Sequence, residues 1–105
     1  MLRHIVMWQL RDAADGQSKA ANALAVQRAL MSLRSKIAEI ADLEVGLNIS
    51  GSERAWDIVL VSTFKGQEEL DAYSAHPAHQ KVVRLIRSVS AETRVVDYVT
   101  DDPPL

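Results

Sequence analysis

Two kinds of apolar spacing alternate along the chain, and their order limits the possible fold more than any other feature. Spacings of three and four residues predict a long helix over roughly residues 17–40 and a second helical region over residues 66–89, which Pro77 divides in two. Four further segments carry the alternating or β-branched and aromatic residues of strands: residues 2–10, 43–49, 56–64 and about 93–100. The predicted order is strand, helix, strand, strand, helix, strand.

This order is typical of the ferredoxin-like fold, an α+β (βαββαβ) fold in which helices pack on one face of an antiparallel four-stranded sheet. Short connections and right-handed crossovers leave few other arrangements. A chain of 105 residues can bury one core, so we expect one domain over residues 1–100. The Asp- and Pro-rich tail of residues 101–105 is expected to fray.

Composition excludes several classes of function. The net charge of −2 argues against a broad nucleic-acid surface, and the absence of cysteine excludes disulfides and thiolate metal sites. No apolar run approaches the roughly 18 residues of a membrane span. The first residues lack the pattern of a signal peptide, so we expect a cytoplasmic protein with no nucleic-acid or membrane partner.

The predicted sheet is apolar on both faces, although the helices can cover only one. The outer face of such a sheet is normally polar where it meets water. Six apolar side chains fall on this uncovered face: Ile5, Met7, Val59, Val61, Val96 and Tyr98. Because monomers rarely expose a patch of this size, we expect a homodimer that packs sheet against sheet with two-fold symmetry. The alternative is that the helices cover more of the sheet than the order of elements suggests.

The chain has only three histidines, and two of them flank Pro77 within residues 73–79. Proline disfavours helical geometry in the preceding residue, so His76 is expected at a corner, where it would help to cap the next helix. His79 shares a helical face with four apolar residues, Val82, Val83, Ile86 and Val89. Its ring should therefore point towards the sheet. Burial and the positive end of the helix both favour the neutral ring, which can accept a proton as a general base.

The candidate catalytic groups are His79, Tyr73 and His4, which can meet between the sheet and the helices. His4 lies on the helix-facing side of the first strand, and Tyr73 follows Leu70 on the buried side of its helix. Further candidates for lining or orienting the site are Val6, Trp8, Leu60, Val83 and Asp97. Two interpretations stay open: a pocket with proton-handling groups, or a core in which buried histidine and tyrosine satisfy each other by hydrogen bonds.

The sequence predicts neither a metal site nor a cofactor. His76 and His79 are three residues apart, but the proline corner separates their helical faces, and no carboxylate stands at a ligand-like offset. A Ser-His-Asp signature, a Gly-rich phosphate loop and a dinucleotide fingerprint are all missing. Three arginines have the pattern of a solvated face and a strand edge rather than of an anion site: Arg84, Arg87 and Arg94.

Three segments of the chain resemble the stress-responsive A/B barrel domain (Dabb) family: His-Ile-Val-Met-Trp at residues 4–8, Tyr-Ser-Ala-His-Pro-Ala-His at 73–79, and Val-Asp-Tyr at 96–98. The resemblance covers nearly the whole chain in the right order, and its Tyr-x-x-His-Pro-x-His element is specific. It implies a ferredoxin-like protomer that forms a dimeric α/β barrel. Most members have no assigned activity, so the resemblance implies a fold more than a function.

One type of plant polyketide cyclase in this family is similar in its polar residues, and it closes a linear polyketide by an aldol condensation without a cofactor. The resemblance implies that His79 is the base, that Tyr73 steadies the enolate oxygen and that His4 supports them. The chain departs from the cyclase in its alanine-rich first helix and at Ser90, where the cyclase has an aromatic ring. The substrate of the cyclase is therefore not carried over.

Two functions fit these observations. The first is a Dabb-family dimer that binds a small apolar carbonyl compound between sheet and helices, with cofactor-free acid–base catalysis. The second is a non-catalytic, stress-associated structural or binding dimer. A cavity of about 300 Å³ or more beside His79 and Tyr73 favours the first function. A filled layer, in which the three polar side chains bond only to each other, favours the second.

Overall fold

The computed structural model describes residues 1–101, and the predicted fraying of residues 102–105 lies outside the described residues. The elements follow one another as β1 (Leu2–Leu10), β2 (Ala13–Ala14), β3 (Gln17–Ser18), α1 (Lys19–Ser32), β4 (Asp42–Leu47), β5 (Ile58–Phe64), α2 (Gln67–Ala75), α3 (Pro77–Val89) and β6 (Ser90–Val99). A short 3-10 helix, Leu33–Ser35, continues α1. No helix within residues 1–101 has the length and apolar character needed to cross a bilayer.

The main sheet has four antiparallel strands in the order β4-β5-β1-β6, which confirms the predicted ferredoxin-like α+β fold. Strand β1 is central, and its register fixes which side chains share a face. His4 pairs with Ser62 on one side and with Asp97 on the other. The inner face, which carries these three residues, is covered by the helices over part of its width.

The core lies between the helices and strands β4, β5 and β1. Val6 and Trp8 are buried on β1, while Leu60 and Phe64 alternate with half-buried residues on β5. The apolar stripe predicted for the first helix is also buried, and it consists of Val26, Leu30, Leu33, Ile37 and Ile40. Strand β6 at the sheet edge stays exposed along nearly its whole length, so one margin of the inner face remains open.

The first helix is shorter at both ends than its apolar spacing predicts. The predicted loop before it contains a hairpin, in which Asp15 and Gly16 form the turn with positive φ angles of 53° and 74°. Ser18 then caps α1 by accepting a hydrogen bond from Ala21 N at 3.2 Å. At the other end the helix stops at Ser32, whose hydroxyl donates to Ala29 O. Apolar spacing thus identified the buried residues up to Ile40, but not the end of the regular helix.

Strand β6 begins at Ser90, three residues before its predicted start, because its pairing with β1 extends to Leu10. Two other predicted strand ends are wrong because side-chain hydrogen bonds compete with the sheet. Strand β4 ends at Leu47, since the side chain of Asn48 bonds to the backbone of Ser50 and leaves Ile49 fully exposed. Strand β5 begins at Ile58 rather than at residue 56. The Asp57 carboxylate accepts a hydrogen bond from Leu10 N at 2.7 Å instead. Short polar side chains often redirect the backbone in this way.

No element of the described chain covers the outer face of the sheet. One register row across this face is apolar on three adjacent strands, with Val61, Ile5 and Val96 side by side. Met7, Val96 and Tyr98 are exposed, and the other predicted members, Ile5, Val59 and Val61, are half-buried. The alternative in which the helices cover both faces is therefore excluded for residues 1–101.

Candidate functional site

The chain turns sharply between α2 and α3, and this corner positions two of the three histidines. Pro77 causes the corner. Proline has no backbone N–H and disfavours helical geometry in the residue before it. His76 is accordingly extended, with φ −64° and ψ 134°, and its Nδ1 accepts a hydrogen bond from Ala78 N at 3.0 Å. His76 therefore caps α3, as the sequence predicts, and it does not line the cavity described below.

The corner also determines the orientation of His79. The carbonyl groups at the end of a helix lack intrahelical partners, and His79 Nδ1 lies 3.1 Å from Ser74 O near the end of α2. A carbonyl oxygen can only accept a hydrogen bond, so Nδ1 must carry the proton in this contact. In the neutral ring this leaves Nε2 as the proton acceptor.

The surroundings of His79 favour that neutral ring. Burial lowers the pKa of His79 below its ordinary value of 6.5, and it is the largest cause of the shift. The hydrogen bond to Ser74 acts in the opposite direction, while electrostatic interactions with His4 and His76 lower the pKa further. At neutral pH His79 is therefore an uncharged base with one ring nitrogen available.

His4 is held from the neighbouring strand. Its ring Nδ1 pairs with Asp97 Oδ1 across the β1–β6 register. The carboxylate oxygen accepts, so it fixes the ring orientation and directs the second nitrogen elsewhere. The structure thus brings together the imidazole and the carboxylate that the alternation of the two strands places on one face.

Tyr73 lies behind His79 rather than beside it in the cavity. Its side chain is 0% exposed, and the centre of its ring lies 4.3 Å from that of His79 and 4.9 Å from that of Phe64. Burial raises the pKa of Tyr73 to about 12, so the phenol stays protonated at neutral pH. Its hydroxyl has no hydrogen-bond partner among the described residues. The three polar side chains therefore do not satisfy each other.

A cavity of about 340 Å³ opens between α3 and the exposed margin formed by β1 and β6. Its polar lining comes from His4, Ser74, His79, Arg87, Ser90 and Thr93. Its apolar lining comes from Val6, Trp8, Val83, Ile86 and Val95.

The cavity includes three of the five residues predicted to line or orient the site: Val6, Trp8 and Val83. Leu60 is instead 1% exposed in the core, and Asp97 acts through His4 without lining the cavity. Tyr73 is also absent from the lining, because its ring is packed under His79. Within residues 1–101, no group of three His, Cys, Asp or Glu side chains is arranged to hold a metal ion.

Arg87 is exposed, as the sequence predicts, but sequence reasoning missed that it also lines the cavity. A usable signal existed, because Arg87 follows His79 by eight residues and Val83 by four, which places all three on one side of α3. Thr93 and Val95 could also have been found, since they alternate with Asp97 on the inner face of β6.

Comparison with known proteins agrees with this fold. A curated relative, a stress-response A/B barrel domain-containing protein of Arabidopsis thaliana, is 27% identical over 112 residues. The match covers 99% of this chain but only 38% of the relative, so the chain spans well under half the length of that protein.

Solved structures show the same architecture. A dimeric protein of unknown function with a ferredoxin-like fold from Bacteroides fragilis is 31% identical, has a TM-score of 0.83 and is matched over 92% of this chain and 93% of its own. A hydroxynitrile lyase from Passiflora edulis has a TM-score of 0.78 over 98% and 96% of the two chains, but at 16% identity it shows similarity of fold alone. The model of the stress responsive A/B barrel domain matches residues 2–100, and the chain therefore belongs to that family.

Proposed function

We propose that this protein binds a small apolar carbonyl compound between its sheet and α3, and that it catalyses proton transfer on that compound without a cofactor. The observation that carries the proposal is His79, whose unprotonated Nε2 belongs to a ring lining a cavity of about 340 Å³. That volume is within the range of small-molecule sites. The similar fold of a hydroxynitrile lyase agrees with chemistry on small molecules, although it does not identify the reaction.

The arrangement of the polar groups supports a binding site over a purely structural layer. A structural role predicts that His4, Tyr73 and His79 bond to one another. Instead, His4 pairs with Asp97, His79 bonds to a helix-end carbonyl, and the hydroxyl of Tyr73 has no partner among residues 1–101. Two imidazoles consequently face open space, where a ligand can reach them.

The proposed step is removal of a proton from the carbon next to the ligand carbonyl. His79 Nε2 takes this proton, and the electron pair of the C–H bond moves to the carbonyl oxygen, which becomes an enolate. His4, fixed by Asp97, provides a hydrogen-bonding nitrogen in the same cavity. Return of a proton from His79 to carbon restores the ketone. Tyr73 is assigned to positioning, because its buried ring packs against His79.

Isotope exchange tests this step directly. We expect the protein to accelerate deuterium incorporation next to the carbonyl of nonan-2-one in D₂O, measured by proton NMR. His79→Gln should reduce the accelerated rate by about 10²- to 10⁴-fold, which is the usual contribution of a positioned general base. His76→Asn is the matched control, since it removes an imidazole outside the cavity and keeps a side chain able to cap α3.

The outcomes separate binding from catalysis. If nonan-2-one binds but exchanges equally fast with His79→Gln, His79 is not the base. If no small apolar ketone binds, the cavity has no such ligand and the structural alternative is preferred. A loss of exchange in His76→Asn as large as in His79→Gln would show that the corner, rather than the base, controls the rate.

We also propose that a second copy of the chain covers the outer face of the sheet. The support is the apolar row of Val61, Ile5 and Val96 on an uncovered surface, together with the dimeric state of the similar protein from Bacteroides fragilis. Packing of two identical faces satisfies both copies at once, as two-fold symmetry requires.

A further inference from the structure

The cavity has two different ends. His4 and His79 lie at one end, with Ser74 beside them. The other end is marked by Arg87, together with two hydroxyl-bearing residues, Ser90 and Thr93. In the β1–β6 register, His4 at the histidine end pairs with Asp97, and Trp8 at the arginine end pairs with Thr93. The two ends are therefore four residues apart along each strand.

The helix and the strands give the same separation. Eight residues of α3 between His79 and Arg87 correspond to about 12 Å along the helix axis. Four residues of β1 between His4 and Trp8 correspond to about 13 Å. The wall between the two ends is apolar and consists of Val6, Trp8, Val83, Ile86 and Val95. The cavity therefore has an apolar middle, with a proton acceptor at one end and a cation at the other.

The charge of Arg87 is not neutralised within the described protein. No carboxylate of residues 1–101 lines the cavity, and Arg87 takes part in none of the ion pairs found between those residues. A cation beside apolar walls attracts an anion more strongly than it does in bulk water. Arg87 also interacts favourably with the dipole at the end of α3. This interaction stabilises the helix to the same extent with a charged and with a neutral ligand, so it cannot make binding selective for an anion.

We infer that Arg87 is a specificity-determining residue that recognises the anionic end of an elongated ligand. This inference rests on the proposed function and adds a substrate class to it: an apolar chain with a carbonyl group near one end and a carboxylate at the other. A guanidinium matches the two oxygens of a carboxylate, and the hydroxyls of Ser90 and Thr93 are placed to donate further hydrogen bonds.

Fluorescence of Trp8 provides the measurement. The chain has two tryptophans, and Trp56 lies in a different depression on the outer side of the sheet, so Trp56→Phe leaves Trp8 as the only reporter. The two probes are 8-oxononanoate and nonan-2-one, which differ only at one end, a carboxylate in the first and a methyl group in the second. In this background, Arg87→Gln should weaken binding of 8-oxononanoate by about 10- to 100-fold and leave the affinity for nonan-2-one unchanged.

Arg84→Gln is the matched control. Arg84 is one turn earlier on α3 and carries the same charge. It lines an adjoining depression, which shares His79, Val83 and Arg87 with the cavity, but it does not line the cavity itself. Its substitution should change both affinities by less than about two-fold, because Arg84 does not line the cavity in which the probes bind. Arg87→Lys should recover part of the lost affinity, since it restores the charge without the planar pair of donors.

The outcomes distinguish this inference from the function on which it rests. If Arg87→Gln weakens both probes equally, Arg87 has only a structural role and the inference is wrong. The inference also fails if Arg84→Gln has the same selective effect, or if 8-oxononanoate binds no better than nonan-2-one. If neither probe binds, the proposed function fails with it.

Discussion

His79 shows how one backbone interruption can produce a chemically useful side chain. Pro77 ends α2, and the end of α2 leaves the Ser74 carbonyl available. That carbonyl accepts a hydrogen bond from the protonated Nδ1 of His79. Burial then favours the neutral ring. The tautomer and the charge state therefore follow from the same short segment, and both have consequences that can be measured.

The stability of the protein should depend on pH through His79. Its pKa is about 6.5 in the unfolded chain and lower in the folded protein. As the pH falls below about 6.5, the unfolded state takes up a proton before the folded state does, so the free energy of unfolding decreases. Above that pH both states are neutral and the stability is retained. Urea titrations of the native chain and of His79→Gln at pH 7.5 and pH 5.5 should show a smaller decrease in the variant.

Subtraction of the His79→Gln values removes the contributions of the other titrating groups, which both proteins share. An equal or larger decrease in the variant would contradict the lowered pKa. The rate of deuterium exchange should depend on pH for the same reason. It should start to fall only at a pH below 6.5, where His79 becomes protonated and can no longer accept a proton.

Substitution of Tyr73 separates positioning from catalysis. Tyr73→Phe removes a buried hydroxyl that has no partner among the described residues and keeps the ring against His79. An unpaired buried polar group is unfavourable, so we expect the free energy of unfolding to rise by about 1 kcal/mol. The exchange rate should stay within about three-fold of the native rate, since a ring that only positions His79 is retained. A stable variant that loses exchange would instead make Tyr73 the donor to the enolate.

At the scale of elements, the α2–α3 corner depends on a side-chain cap. His76 Nδ1 accepts the hydrogen bond of Ala78 N, one of the donors that the start of α3 leaves without an intrahelical partner. His76→Ala should lower the free energy of unfolding by about 1 kcal/mol, whereas His76→Asn should preserve it. Urea unfolding of the three proteins at pH 7.5 provides the comparison. Equal stability of His76→Ala and the native chain would show that the cap is dispensable.

The open margin of the sheet is the second feature at this scale. Helices α1 and α2 are packed over the side of the sheet that contains β4 and β5, and β6 projects beyond the helical layer. The cavity forms where α3 meets this projecting strand. An edge strand that was fully covered would have left no room beside His79.

At the scale of the whole molecule, the outer face of the sheet determines assembly. Val61 lies near its centre, between Glu44 of β4 and Ile5 of β1. If a second copy packs on this face, Val61→Glu places a second carboxylate beside that of Glu44 and buries it without a partner, so it should weaken the dimer at least about 100-fold. Light scattering of the native protein at micromolar concentration should give twice the 11.6 kDa mass of one chain, and the variant should give the single mass.

Leu24→Glu is the control for this experiment, because Leu24 is an exposed apolar residue on α1, on the helical side of the sheet and away from its outer face. It should leave the measured mass unchanged. A native protein that is monomeric at micromolar concentration would overturn the proposed dimer, while the fold and the cavity would be unaffected.

Much of the site was predictable because successive side chains of a strand point to opposite faces of the sheet. His4, Val6 and Trp8 share a face by parity, and so do Thr93, Val95 and Asp97, which made the contact between His4 and Asp97 a reasonable expectation. Tyr73 was likewise expected on the buried side of α2. The missing partner of its hydroxyl was not predictable, because that depends on where Phe64 and His79 place their rings.

The errors have equally local causes. Ile49 continues the apolar alternation of β4, but the side-chain hydrogen bonds of Asn48 turn the backbone away from the sheet. Arg87 is exposed, as its spacing predicts, but β6 extends far enough to make it part of the cavity lining as well. The spacing within α3 places Arg87 on the side of His79, but it does not show that β6 reaches the same cavity.

The sequence by itself determined the order of the elements, the residues on each face and the corner at Pro77, because these depend on backbone geometry repeated over a few neighbouring positions. Only the tertiary structure decided that a cavity remains beside His79 and that Tyr73 lies behind it. The size of such a cavity depends on the volumes and orientations of side chains that are distant in the chain, and a local sequence pattern does not specify how they pack together.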